Sequence, residues 1–233
     1  SQPLSQLMLE TLPRDELEDI KYPVWVFDGT GAISPGDPAA NAQEKWIYRG
    51  GAATLGNLIA EVGDLTIHTG TAIGTLQRKQ GSYLLRDSEG NAQGEYDSVI
   101  IATPSSQAAD LIALSAIPNL EKMNLEGALR EAVYRRCISV VLGFARPLQP
   151  HPFYALVNPT RDHPISWIGF EHLKPGHLPA DYAALVVQMG GDYSISHWDW
   201  GKFELIATVK AQTSVLLDED LSEPDFADVQ RWR

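Results

Sequence analysis

The sequence predicts an α+β fold: a mixed, mainly antiparallel sheet with flanking helices, accompanied by a β-meander. Three observations carry the prediction. Strand-like runs follow one another through short Pro- and Gly-containing connections, one long apolar helix spans 200–217, and a helix followed by a meander occupies 52–86.

Val24-Trp25-Val26-Phe27 reads as the first strand, and Asp28-Gly29-Thr30-Gly31 as the loop after it. That loop carries two glycines at dinucleotide-loop spacing. Ser34 holds the third glycine position, however, and Pro35, Gly36 and Pro38 forbid the helix that would receive a pyrophosphate. After Trp46-Ile47-Tyr48-Arg49 and Gly50-Gly51, residues 52–62 place Leu55, Leu58, Ile59 and Val62 at helical spacing, predicting one buried stripe, and Gly63-Asp64 ends the helix. Period-two runs at Leu65–Thr69 and Ile73–Gln77, then Tyr83–Arg86, predict three strands, with turns at Gln80-Gly81 and Asp87–Asn91.

Val99-Ile100-Ile101-Ala102 is apolar at consecutive positions, which suits a strand covered on both faces. Thr103-Pro104-Ser105-Ser106 stops it and opens a helix, with Thr103 or Ser106 available as a cap. Residues 134–145, 153–157, 165–170 and 183–189 read as further strands. In the helix 200–217, Phe203, Ile206, Ala207, Val209 and Val215 form the expected apolar side.

Composition bounds the function. The chain has 233 residues, enough for a sizeable core, and 18 basic against 30 acidic residues give a net charge of -12. Such a charge repels phosphate backbones and anionic membranes, so nucleic acid and membrane surfaces are excluded as expected partners. No apolar run approaches the ~20 residues needed to span a bilayer, and no export signal opens the chain. A lone Cys137, within an apolar run, forms no internal disulfide and points to a reducing cytoplasm. No sequence feature sets an oligomeric state.

The order of segments resembles a known family. Gly50-Gly51 before a helix, a meander containing Ile73, and a strand ending in Ala102-Thr103-Pro104 resemble the flavin-containing amine oxidase superfamily, nearest its renalase-like branch. Leu185–Gln188 followed by Ser194, and the closing Asp228-Val229-Gln230-Arg231-Trp232-Arg233, are similar to later landmarks of that branch. The resemblance implies part of a Rossmann-like FAD-binding domain at 46–116, and a substrate domain in two pieces, 1–45 and 117–233. It implies FAD for the full-length protein. Members also carry a Gly-x-Gly-x-x-Gly unit and a closing flavin segment, so the chain looks like the middle of a longer flavoprotein that binds little flavin by itself.

The resemblance also assigns residues. Ile73 matches the position that meets the adenine end of the cofactor, and Ala102, Thr103 and Pro104 match the strand end beside its ribose and phosphates. Read without it, Ile73 is an inward strand residue and the other three a strand-to-helix turn. On the substrate side Gln188 stands where relatives carry a histidine facing the flavin, His172 aligns with a polar pocket position, and Trp232 with a tryptophan near the ring. Glutamine cannot titrate near neutrality, which removes a proton relay from that place. No catalytic side chain and no metal ligand set is assigned: His163, His172 and His177 with Glu171 fit no zinc spacing. The implied reaction passes hydride from a small amine-like or reduced nicotinamide-like molecule to flavin. The alternative is a binding module that keeps the fold without the chemistry.

Overall fold

The computed structural model describes residues 4–232. It begins with helix α1 (Leu4–Thr11), strands β1 (Leu17–Asp19), β2 (Val24–Phe27) and β3 (Ile33–Pro35), a short helix α2 (Pro38–Asn41), strand β4 (Trp46–Tyr48) and helix α3 (Ala53–Val62). Strands β5 (Ile73–Arg78), β6 (Tyr83–Asp87) and β7 (Ala92–Tyr96) follow, then helices α4 (Ser105–Leu114) and α5 (Asn119–Arg130). The remainder comprises β8 (Cys137–Phe144), β9 (Ala155–Val157), β10 (Ile165–Phe170), a 3-10 turn at Glu171–Leu173, β11 (Ala183–Met189), α6 (Gly191–Ser196), α7 (Lys202–Leu217) and β12 (Phe226–Trp232).

The fold is α+β, and the chain divides into two compact units. Residues up to Leu65 and from Arg135 onward form the first, and Thr66–Tyr134 form the second. The segment 46–65, expected with the cofactor side, thus belongs to the first unit, and 117–134 to the second.

The first unit is built on a seven-stranded sheet in the order β12-β8-β11-β10-β9-β2-β3. All neighbours are antiparallel except β2 and β9, which run parallel. Its core lies on one face, where Ile138, Val140, Leu142, Leu185, Val187 and Phe170 meet the buried face of α7. That face of α7 is Leu205, Val209, Thr213 and Leu216, at i, i+4, i+8 and i+11. Phe203 and Val215, expected inside, are 86% and 83% exposed. The reason is that α7 is apolar around most of its circumference, so spacing alone does not select a face.

The Gly-containing loop is the tip of the β2–β3 hairpin, not a phosphate loop. Asp28 Oδ1 accepts from the amides of Thr30 (2.8 Å) and Ala32 (3.1 Å), and Gly31 turns the chain with φ +85°. Pro35 pairs with Trp25 in this hairpin, and a helix does follow: α2 starts at Pro38, is capped by Asp37, and its Asn41 side chain bonds both backbone groups of Val24, at 2.8 Å from the N–H and 2.9 Å from the C=O. Proline at the first helical turn is tolerated, so the sequence forbids only a helix directly after the glycines. Helix α3 buries no residue; Ile59 and Val62 are 46% and 53% exposed, which corrects the expected buried stripe.

In the second unit the meander is β5-β6-β7, all antiparallel. Ser115, 2% exposed, pins it to α4: its Oγ accepts from Leu76 N–H at 2.8 Å and donates to Leu111 C=O at 2.6 Å. Two expected strands are absent. Leu65–Thr69 and Val99–Ala102 are irregular, because no described strand lies alongside to satisfy their backbone groups. Ile100 is 92% exposed, while Val99 and Ile101 line an apolar cavity with Leu76, Ile112 and Leu125. Neither Thr103 nor Ser106 caps α4; Pro104 occupies the cap position, and Ser105 N–H donates to the Tyr134 hydroxyl at 2.7 Å.

Candidate functional site: the open face of the sheet

Alternation along β8 builds the site. Ile138, Val140 and Leu142 point into the core, so Cys137, Ser139, Val141 and Gly143 point to the opposite face. Register extends that face sideways: Ser139 stands opposite Gln188 of β11 and Gln230 of β12, and Gln188 stands opposite Trp167 of β10. A band Gln230, Ser139, Gln188, Trp167 therefore crosses four strands, about 14 Å at the usual strand spacing. Trp232, opposite Cys137, lies one step further along the same face.

Each member is held locally. A register shift between Ile165 and Trp167 brings the indole-bearing residue beside Gln188, and Ser166 Oγ donates to Gln188 C=O at 3.0 Å. Trp167 packs on the small cluster of Ile20, Tyr154 and Ala155, closing one end of the band. At the other end Arg231 turns to the core side and donates to the carbonyls of Trp198 (2.9 Å) and Trp200 (2.6 Å), which fixes β12 and hence Trp232. Gln188, Gln230 and Trp232 are exposed, while Ser139 is 5% exposed.

The 3-10 turn adds a charged corner. Glu171 accepts from Lys174 Nζ at 2.5 Å and meets His177 Nδ1 at 3.1 Å. Its Oε1 and Trp167 Nε1 converge above Gly169, each 3.2 Å from where a Cβ there would sit. Burial, reinforced by the Glu171 carboxylate, pushes the Tyr154 phenol above its ordinary value, so Tyr154 stays neutral.

Of the three substrate-side residues read from sequence, Gln188 and Trp232 share this face. His172 turns elsewhere: its Nδ1 is 3.4 Å from Ala184 C=O, and its ring lies edge-on to Phe170, 6.0 Å between centroids. Burial holds its pKa below the ordinary histidine value, against the opposing hydrogen bond to Ala184. Ile73 opens β5 opposite Asp87, and Ala102-Thr103-Pro104 form the turn into α4, all within the second unit. Ser139, Gln230 and Trp167 escaped the sequence reading. A serine interrupting an apolar run is the one signal that pointed to them, and only register reveals its neighbours.

Chemically the band offers one hydroxyl, two carboxamides and two indoles. It can bind and orient a planar polar molecule, and it supplies no group that titrates near neutrality. His163 Nδ1 accepts from Ile165 N–H at 3.0 Å, and among the described residues no three His, Cys, Asp or Glu side chains converge. Nor does the β2–β3 tip fit a cofactor pyrophosphate. Its amides already bind the Asp28 carboxylate, an internal anion that would repel a second one.

The family described as flavin containing amine oxidoreductase matches residues 6–233. The chain belongs to that family. Among solved structures, the fold is similar to a protein from Exiguobacterium sp. 255-15 described as "Putative protoporphyrinogen oxidase" (17% identity, TM-score 0.58), covering 84% of this chain and 41% of that one. It is also similar to cyclohexylamine oxidase from Brevibacterium oxydans IH-35A (15% identity, TM-score 0.59, 82% and 40%) and to a putrescine oxidase triple mutant (14% identity, TM-score 0.61, 81% and 40%). This member of the family thus spans about two fifths of the length of those structures. Among the described residues, no helix is long and apolar enough to cross a membrane.

Proposed function

We propose that this chain supplies the substrate-domain sheet and part of the cofactor domain of an FAD-dependent oxidoreductase, of the renalase-like branch. The enzyme takes hydride from a small organic molecule, amine-like or reduced nicotinamide-like, in a reducing cytoplasm. The observation that carries the reading is the common open face of Gln230, Ser139, Gln188, Trp167 and Trp232, in a chain that matches a flavin oxidoreductase family along nearly its whole length. When bound, flavin supplies the hydride acceptor, so the protein needs to position the donor rather than to act as acid or base.

In this reading Gln188 and Gln230 hydrogen-bond the substrate, the indoles of Trp167 and Trp232 form its walls, and His172 acts indirectly by holding the end of β11. Ile73 and Ala102-Thr103-Pro104 line the adenine and ribose side of the cofactor. The pyrophosphate requires residues other than the β2–β3 tip, and this chain alone is expected to bind little flavin.

The test is reconstitution. A chimera adds a strand, Gly-x-Gly-x-x-Gly and helix unit before this chain and a closing flavin segment after it, both from a family member. Visible absorption of bound oxidised flavin is expected after FAD addition, with substrate-dependent bleaching that Gln188→Ala weakens mainly through KM. A folded but colourless chimera would overturn the reading.

A further inference from the structure

The seven-stranded sheet ends in two very different edges. At one end β3 is three residues long and finishes in Pro35, which has no amide to offer an incoming strand. At the other end β12 is seven residues long, contains no proline, and pairs only with β8 among the described residues. A strand of that length with free outer amides is a template for pairing with another chain.

Two of the outer groups of β12 are already bonded. Val229 N–H donates to Asp228 Oδ1 at 2.8 Å, which points it away from β8. In an antiparallel ladder the N–H and C=O of one residue face the same side, and the side alternates, so Ala227, Val229 and Arg231 all present their backbone outward. Arg231 C=O obeys that parity and accepts from Gln230 Nε2 at 3.1 Å. Asp228 is itself held by Lys202, at the start of α7, whose Nζ lies 2.7 Å from the same Oδ1. Two successive side chains thus fold over the edge of their own strand and occupy an outward donor and an outward acceptor.

The sequence of β12 explains why a guard is needed. Two-fold antiparallel pairing about Val229 sets Phe226 opposite Trp232, and Asp228 opposite Gln230 of the second strand. Both aromatics are more than half exposed, at 58% and 57%, and lie on one face. The strand holds one acidic and one basic residue, so the charge of -12 on the whole chain is not concentrated there. We propose that Asp228, held by Lys202, and Gln230 form a built-in guard that prevents β12 from pairing edge to edge with a second copy of this chain.

The experiment compares the wild-type chain with Asp228→Ala/Gln230→Ala by light scattering after size exclusion, from micromolar to submillimolar concentration. The wild type is expected to keep the mass of one chain, and the double variant to move toward twice that mass. Glu223→Ala, which removes one negative charge outside the strand, controls for loss of repulsion and is expected to behave as wild type. A double variant with native circular dichroism and single-chain mass overturns the proposal, as does association of Glu223→Ala to the same extent. Should the double variant not fold, hydrogen exchange on the wild type decides: Val229 N–H is expected to exchange about tenfold slower than the outward amides of Ala227 and Arg231. Equal rates overturn the guard.

Discussion

Asn158→Ala tests the hydrogen-bonded corner that joins the two halves of the large sheet. Asn158 is 3% exposed, just past β9. Its Nδ2 donates to Phe27 C=O at 2.8 Å and to Asp162 Oδ1 at 3.0 Å, and its Oδ1 accepts from Asp162 N–H at 3.0 Å. Truncation leaves the Phe27 carbonyl, in a residue 1% exposed, without a donor, at the full cost of about 1–3 kcal/mol for a buried orphan. Asp162 is exposed, so water recovers part of what its amide loses. The expected total is about 2–4 kcal/mol. Thr160→Ala removes a hydroxyl that donates to Asp162 Oδ1 and accepts weakly from Asn158 Nδ2 at 3.3 Å, leaves the Phe27 carbonyl paired, and should cost about 0.5–1 kcal/mol. Urea unfolding followed by tryptophan fluorescence isolates the effect, since all six tryptophans lie in the first unit. With a slope of about 2 kcal/mol per molar urea, Asn158→Ala lowers the midpoint by about 1–2 M. Equal midpoints for the two variants would refute the idea that burial of the Phe27 carbonyl, rather than bond number, sets the cost.

Three further outcomes are expected. Leu205→Ala, at a fully buried position of α7, should destabilise the first unit by about 2–5 kcal/mol, whereas Phe203→Ala should change it by less than about 0.5 kcal/mol in the same urea titration. Burial holds His151 below its ordinary pKa despite the Glu219 carboxylate 3.8 Å away. The unfolded chain therefore takes up that proton first, and stability fully present above pH about 6.5 is lost progressively as pH falls from there through the lower folded-state value; His151→Gln should flatten the slope of thermal midpoint against pH. In the reconstituted chimera, Trp232→Ala should raise KM for the substrate with a smaller change in kcat, and an unchanged KM would remove Trp232 from the binding wall.

Strands β10 and β11 appear at the residues their patterns predicted, and β8, α3 and α7 within a few residues. These elements find partners nearby, so pattern and structure agree. Leu65–Thr69 and Val99–Ala102 have equally good patterns and no described strand beside them, and they form no strand; a strand is a property of two segments. Helix α5 was missed because its mixed Asn119–Arg130 sequence carries only a broken apolar stripe, with Leu120 and Met123 outward. In the candidate site Gln188 and Trp232 were legible by resemblance. Ser139 and Gln230 required cross-strand register, which no single segment encodes.

The parallel pairing of Val24 with Ala155, and of Val26 with Val157, has a consequence for biosynthesis. The N-terminal hairpin leaves the ribosome long before the strand that will flank it, and all of Thr66–Tyr134 must be translated in between. The intervening unit, whose contacts are local, can fold while the hairpin waits with an unsatisfied ladder. Nascent chains stalled before β9 should accordingly recruit holding chaperones at Val24–Phe27, and release them once Val157 has emerged.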